Sequence, residues 1–363
     1  MNNNYYCIIM AGGVGSRFWP MSRVAAPKQF IDILGDGVSL IQKTFHRFEK
    51  ICPKENIYIV TNTIYAELVK EQLPEVNDEQ LVLEPGRRNT APCIAYANQK
   101  IKKINPDAVV VVAPSDHNIE REDVFTGVIT NGLEVVAQKD LLLTIGIRPS
   151  NPNTGYGYIQ YDEDKVLPQN HAIYEVKTFT EKPQLEMAKQ FIESGDFLWN
   201  AGIFIWSLKS IEKAFNKFLP EVESLFEAGE PYYNTPEEKN FIERTYQICR
   251  NISIDYGIME KAHNVLVYAA DFGWSDLGTW GSLHSICPKD DNGNTVVGKK
   301  TKIYNTKNCI INAPKNTVVV VQGLDNYIVV ENDDVLLICS KDDEQQIRQY
   351  VNDVQMDFGE KYV

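Results

Sequence analysis

The sequence predicts an α/β protein, a mostly parallel sheet with helices on both faces, followed by a small β-rich domain. Three observations carry this. Apolar runs of strand length alternate with segments of helical spacing over the first two thirds of the 363-residue chain. The first of those runs leads straight into a glycine-rich turn. From about residue 290 the helical spacing stops, and short Val/Ile-rich runs broken by Gly, Asn and Asp take over. The expected domains are residues 1–288 and 289–363.

Residues 5–10, 56–61, 108–113 and 141–147 are short, rich in β-branched residues and bounded by turn formers or charges, the marks of buried strands. Between them, 40–50, 64–72 and 91–103 repeat apolar residues at helical spacing. Such alternation buries both faces of a sheet and implies parallel order. Ligands of open α/β sheets sit outside the carboxyl ends of the strands. The turn after the first strand is therefore expected on that rim, together with Pro114, Ser115, Asp116 and His117 after the strand 109–112. A third strand, 174–179, ends in "TEKP". The tail suggests hairpins or solenoid turns, a short left-handed β-helix being one form. Ile347, Val351 and Val354 mark a terminal helix over 342–354.

Composition narrows the partners. Lys and Arg number 36 against 49 Asp and Glu, a net charge of −13, and no stretch gathers basic residues into a polyanion-binding face. A nucleic acid polymer is not expected. The N-terminus "MNNNYYCIIM" has no basic start and no apolar stretch of signal-peptide length, and no run reaches the roughly 18 apolar residues of a membrane span. A cytoplasmic protein with no membrane partner is expected. The seven cysteines are scattered without a C-x-x-C pair and read as reduced core thiols; the five histidines form no H-x-x-x-H, so zinc is not expected.

The stretch "CIIMAGGVGSRFWPMSRVAAPKQF" poses the functional question. A P-loop needs Gly-Lys-Ser/Thr, which this turn lacks. A dinucleotide fingerprint needs a third glycine where Phe18 stands after Gly13 and Gly15. What remains is a glycine turn whose N–H groups can face phosphate oxygens, with Arg17 and Lys28 as charged clamps and Pro20 and Pro27 stiffening the segment. The plainer alternative is a tight strand-to-helix turn with surface cations.

"MAGGVGSRFWPMSRVAAPKQF" resembles the signature loop of sugar-1-phosphate nucleotidylyltransferases, and within them that of the mannose-1-phosphate guanylyltransferases. "EPGRRNTAP" (84–92), "PSDH" (114–117), "TGYGYI" (154–159), "FTEKP" (179–183), "LWNAGIFIW" (198–206), "SIDYGIMEK" (253–261) and "WSDLGTW" (274–280) follow in that family's order. The resemblance implies a Rossmann-like nucleotidyltransferase sheet. It implies a reaction in which mannose 1-phosphate attacks the α-phosphorus of GTP, giving GDP-mannose and pyrophosphate. Two polyanions must then be neutralised and aligned, with little covalent work for the protein.

The resemblance also assigns roles. Arg17, Lys28 and Asp116 are the catalytic residues it implies. Ala11, Gly12, Gly13, Gly15, Ser16, Arg17, Lys28, Glu84, Arg88, Asn89, Thr90 and Ala91 line the nucleotide. Gly155, Tyr156, Gly157, Glu181, Lys182, Asn200 and Gly202 hold the sugar phosphate. Asp116 and Asp276 match the two carboxylates that hold Mg²⁺, with Mn²⁺ the other choice. Taken alone, Asp116 reads sooner as a turn or helix cap, a balance that Asp276 in its own motif reverses, and Asn89-Thr90-Ala91-Pro92 is also a good helix start. Trp199, Trp206, Trp274 and Trp280 read as core residues, and Asp255 as a helix cap or loop anchor. A homodimer is implied. The isomerase domain of bifunctional relatives has no counterpart before Val363, so isomerase activity is not expected. Two alternatives stand: the same chemistry on heptose 1-phosphate with GTP or glucose 1-phosphate with UTP, and a non-catalytic nucleotide-sugar sensor. A dehydrogenase is disfavoured by the broken fingerprint.

Overall fold

A computed structural model describes residues 2–168, 170–298, 300–314 and 316–363. The chain divides into two compact units, each discontinuous in sequence. The first comprises Met1–Gly12, Thr44–Ser115 and Ile119–Trp274; the second comprises Gly13–Lys43, Asp116–Asn118 and Ser275–Val363.

The first unit is built on β1 (Tyr5–Met10), β2 (Ile57–Asn62), β3 (Leu81–Glu84), β4 (Val109–Pro114), β5 (Leu142–Ile147), β6 (Gly157–Leu167), β7 (Asn170–Glu181), β8 (Phe197–Ser207) and β9 (Val265–Ala270). They form one nine-stranded sheet in the order β3-β2-β1-β4-β8-β5-β9-β7-β6. The first four are parallel, as strand–helix alternation predicts. Past β4 the sheet becomes mixed. β8 enters antiparallel between β4 and β5, and the long β6–β7 hairpin adds antiparallel pairs. Strands buried on both faces read as continuous apolar runs, and Val109 to Ala113 are all buried. The helix Thr90–Ile104 buries Ala91 through Ile101.

In the second unit the tail forms parallel rungs. β10 (Thr295–Val297) pairs in register with β12 (Ile310–Asn312), and β12 with β14 (Tyr327–Asn332); β11 (Thr301–Tyr304) pairs with β13 (Val319–Gln322) on another face. β15 (Val335–Ser340) adds antiparallel to β14. Asn305, Asn308 and Asn326 take the corners at φ 48°, 55° and 64°, a left-handed region that asparagine tolerates. Solenoid turns are one of the two forms the sequence suggests, and stacked parallel rungs are what stand there. The terminal helix runs Ile347–Phe358 after a 3₁₀ stretch, Lys341–Gln346.

The two units interleave along the chain. The reason is one apolar cluster: Phe18, Trp19, Ile33 and Leu40 are buried with Trp280, Ile310, Ile328, Leu337 and Ile347. The residues around the glycine turn and the C-terminal β structure share a core.

Candidate active site

In the second unit the glycine turn and both metal-assigned aspartates meet on one lysine. Gly15 adopts φ 77° and leads into a 3₁₀ turn, Ser16–Phe18. A Cβ on Gly15 would lie 2.5 Å from the Lys28 Cβ, so only glycine leaves room for the lysine stem there. The Lys28 N–H donates to Val14 O at 3.0 Å, and the Ser22 hydroxyl donates to the same carbonyl. Lys28 is 3% exposed. Its Nζ donates to Asp116 Oδ2 at 2.7 Å and to the Asp276 main-chain oxygen at 2.7 Å, and lies 5.6 Å from the Phe18 ring centroid.

Asp116 is pulled two ways. Burial raises its pKa, but the Lys28 charge and then His117 outweigh burial and hold the carboxyl below its usual range. Asp276 sits in a tight turn in which Leu277 has φ 45° and the Gly278 N–H donates to Asp276 Oδ1 at 2.9 Å. Hard oxygens on both sides of a cation are the donor type that Mg²⁺ and Mn²⁺ take. The ammonium rests on an Asp116 carboxylate oxygen and the Asp276 main-chain oxygen, with the Asp276 carboxylate in the same turn, an all-oxygen donor set that fits a divalent cation. Arg17 is half-buried. Its charge, after burial, lowers the pKa of Arg348 on the terminal helix. Two neighbouring guanidinium groups make that surface suited to an anion, and no motif announced Arg348: it follows Ile347, whose apolar spacing revealed only the helix.

The first unit carries the other assigned residues. At the end of β1, Ala11 N–H donates to Val60 O at 2.7 Å and Thr61 Oγ1 donates to Ala11 O at 2.8 Å, fixing the strand exit before Gly12. A Cβ on Gly12 would stand 3.7 Å from Glu84 Oε2. Glu84 is buried and its carboxyl is pushed up to about 7, by burial first; Tyr246 donates to its Oε1 at 3.0 Å. Arg88 Nε donates to Tyr246 O at 2.9 Å, and the Thr90 hydroxyl accepts from Ile254 N–H at 2.8 Å, so both side chains already serve the loop architecture. The Ala91 side chain is fully buried and its N–H is taken by Ile252 O. Asn89 is exposed at φ 66° and ψ −169°, with its side chain accepting from Thr90 N–H. The helix-start reading of this segment is what the structure shows, with Asn89 as its cap in a sparsely populated backbone conformation of the kind that gathers at ligand sites.

Among the sugar-assigned residues, Asn200, Gly202, Glu181 and Lys182 join half-buried polar contacts around Asp255. Asn200 lies where a register shift interrupts β5–β8 pairing. Its Oδ1 accepts from Thr144 Oγ1 at 3.1 Å and from Gly202 N–H at 3.1 Å, while its Nδ2 donates to Asp255 Oδ1 at 2.9 Å. Asp255 is pushed up to about 6, by burial and then by the Glu181 carboxylate. Glu181 Oε1 accepts from Lys182 Nζ at 2.5 Å, whereas its buried Oε2 has no hydrogen-bond partner among the described residues. Gly157 faces that oxygen, and a Cβ there would lie 2.3 Å from it. A buried carboxylate oxygen without a donor is a place for a ligand hydroxyl. Gly155 bonds locally, through its N–H to Asn153 Oδ1 at 2.8 Å. Tyr156 packs edge-on against Trp199 and Trp274, with centroids 4.9 Å and 5.4 Å away. Trp206 and Trp280 are fully buried and Trp199 nearly so, while Trp274 is half-exposed. Asp255 bonds a side chain, Asn200, where the sequence suggested a cap; spacing alone gave no sign of that partner 55 residues away.

Fold and site define a nucleotidyltransferase. Residues 6–293 match the family model described as nucleotidyl transferase, and residues 303–354 match a mannose-phosphate isomerase/GMP-like β-helix domain. A mannose-1-phosphate guanylyltransferase of Klebsiella pneumoniae is 35% identical over 350 residues, covering 95% of this chain and 72% of that protein. The Escherichia coli K12 protein of the same name is 35% identical, covering 97% and 74%. A solved structure described as mannose-1-phosphate geranyltransferase of Thermus thermophilus superposes with TM-score 0.86 at 28% identity, covering 97% of this chain and 99% of that one. The chain is an enzyme of the sugar-1-phosphate nucleotidylyltransferases and belongs to their mannose-1-phosphate guanylyltransferase family. No helix among the described residues is long and apolar enough to cross a membrane.

Proposed function

We propose that this chain transfers GMP from GTP to mannose 1-phosphate, releasing pyrophosphate and GDP-mannose. The observation that carries the proposal is the Lys28 ammonium held between Asp116 Oδ2 and the Asp276 carbonyl, with its stem packed against Gly15 of the glycine turn. Backbone N–H groups at Gly13, Gly15 and Ser16, with Arg17, take phosphate oxygens, and Lys28 stabilises charge growing on the leaving pyrophosphate. Asp116 and Asp276 would hold Mg²⁺ or Mn²⁺, which would supply neutralisation of the triphosphate charge. Asn89, with main-chain atoms at Ala11 and Gly12, reads the base. The open oxygen of Glu181, Asn200 and the Gly155–Gly157 turn receive sugar hydroxyls, and Lys182 meets the sugar phosphate. A phosphate monoester is already a nucleophile, so no general base is required, and His117 has a supporting place beside Asp116. A homodimer, a cytoplasmic setting and the domain division at 288/289 belong to the same proposal.

The test is a matrix of four nucleoside triphosphates against mannose, glucose and heptose 1-phosphates, with pyrophosphate release followed with and without Mg²⁺. Release confined to GTP with mannose 1-phosphate and dependent on the cation is expected. Preference for another pair rejects the specificity, and binding without turnover favours a sensor. Near-normal Mg²⁺-dependent turnover of Asp276→Asn removes that residue from the metal.

A further inference from the structure

The Lys28 ammonium already occupies an oxygen of Asp116, one of the two carboxylates assigned to a metal. Its Nζ lies 2.7 Å from Asp116 Oδ2 and 2.7 Å from the Asp276 main-chain oxygen, inside a site where the lysine is 3% exposed. The position is enforced from behind. Lys28 N–H is tied to Val14 O, and Gly15 clears the path of the side-chain stem. The Phe18 ring, fully buried, closes one side of the ammonium at 5.6 Å.

A divalent cation binds a carboxylate oxygen at about 2.0–2.1 Å for Mg²⁺. With an ammonium donating to Asp116 Oδ2 at hydrogen-bond distance, a divalent cation on the same carboxylate meets a like charge close by, which weakens its binding in a buried site. Drawing the ammonium away relieves that repulsion, and a second anion is what can draw it. Resting on the nucleotidyl-transfer proposal above, the anion at hand is the triphosphate. We infer that Lys28 is the resident cation of the nucleotide-free site, so that divalent-cation binding at Asp116 is coupled to nucleotide binding, which draws the ammonium away. The same side chain then neutralises the empty site and clamps phosphate in the loaded one. Free Mg²⁺ without nucleotide binds Asp116 weakly.

The coupling is read without turnover. Mn²⁺ binding to the nucleotide-free, full-length protein is measured by electron paramagnetic resonance for wild type, Lys28→Met and Asp116→Asn. Removing the resident charge should tighten Mn²⁺ binding at least about tenfold in Lys28→Met, and Asp116→Asn should abolish it. Equal Mn²⁺ affinity in wild type and Lys28→Met overturns the inference, as does strong binding that survives Asp116→Asn. If Lys28→Met fails to fold, the wild type decides through the ¹⁵Nζ resonance of Lys28. That signal should persist on titration with Mg²⁺ alone and shift when an α,β-methylene analogue of GTP is added with Mg²⁺. A shift with Mg²⁺ alone sinks the idea. Failure of the substrate matrix with this exchange intact rejects the proposed reaction and leaves the exchange standing; turnover without the exchange does the opposite.

Discussion

Gly15 and Gly13 lie two residues apart in the same turn, and chemistry separates them. Gly15 has φ 77°, and an added Cβ would sit 2.5 Å from the Lys28 Cβ; a Cβ on Gly13 would meet no described atom within 4 Å. A left-handed residue other than glycine costs roughly 1–2 kcal/mol, and the clash must also push the lysine away from Asp116. Displacements near 1 Å in a positioned group can cost about 100-fold in rate. Gly15→Ala should therefore lower kcat/KM for pyrophosphate release by about 100-fold, while Gly13→Ala stays within a few-fold. Equal losses in the two variants would show that the turn, not the lysine stem, sets the requirement. The residue types at this turn were legible from sequence, because glycine, arginine and lysine announce phosphate. The partners of Lys28 were not, being 88 and 248 residues away along the chain. Only the fold brings them to one ammonium.

Among elements, the parallel strands β1 to β4 were legible because each is a continuous apolar run between turn formers. β8 was not legible as an antiparallel insert. Its run "FLWNAGIFIWS" looks the same in either direction, and strand direction is set by connections and not by composition. The terminal helix was visible in its apolar spacing, but its purpose was not. Ile347, fully buried, packs in the cluster that contains Phe18, Trp19 and Trp280, so the helix supports the turn that carries Arg17. Truncating a buried Ile to Ala typically costs about 2–5 kcal/mol. Ile347→Ala should lose that much in urea unfolding and also weaken GTP binding measured by calorimetry. Val320→Ala, at a site 64% exposed, should remain within about 0.5 kcal/mol of wild type. Lost stability with undiminished GTP affinity in Ile347→Ala would detach the helix from the nucleotide loop.

For the molecule as a whole, stability should depend on pH through carboxyls whose burial outweighs any nearby cation. Glu223 is 3% exposed and accepts from Gln99 Nε2 at 2.7 Å. Burial, then the neighbouring Glu212 charge, pushes it from 4.5 up to about 7, with Lys102 opposing. The direction of the linkage follows from which state binds the proton. The folded state holds it up to about pH 7, whereas the unfolded chain releases it near 4.5. The stabilisation from protonated Glu223 is therefore complete below pH 4.5 and lost as pH rises through about 7. At roughly 1.4 kcal/mol per pKa unit, the loss is about 2–4 kcal/mol. Glu223→Gln keeps an oxygen for Gln99 and removes the titration. It should match wild type near pH 4.5 and exceed it by about 2–4 kcal/mol at pH 8 in urea denaturation. Glu84, also pushed up to about 7, adds its own decline over the same range, so the variant should still lose stability with rising pH, only less steeply. A constant difference between Glu223→Gln and wild type from pH 4.5 to 8 would mean that Glu223 keeps an ordinary pKa, with water or a further positive charge reaching it beneath the helices that cover it.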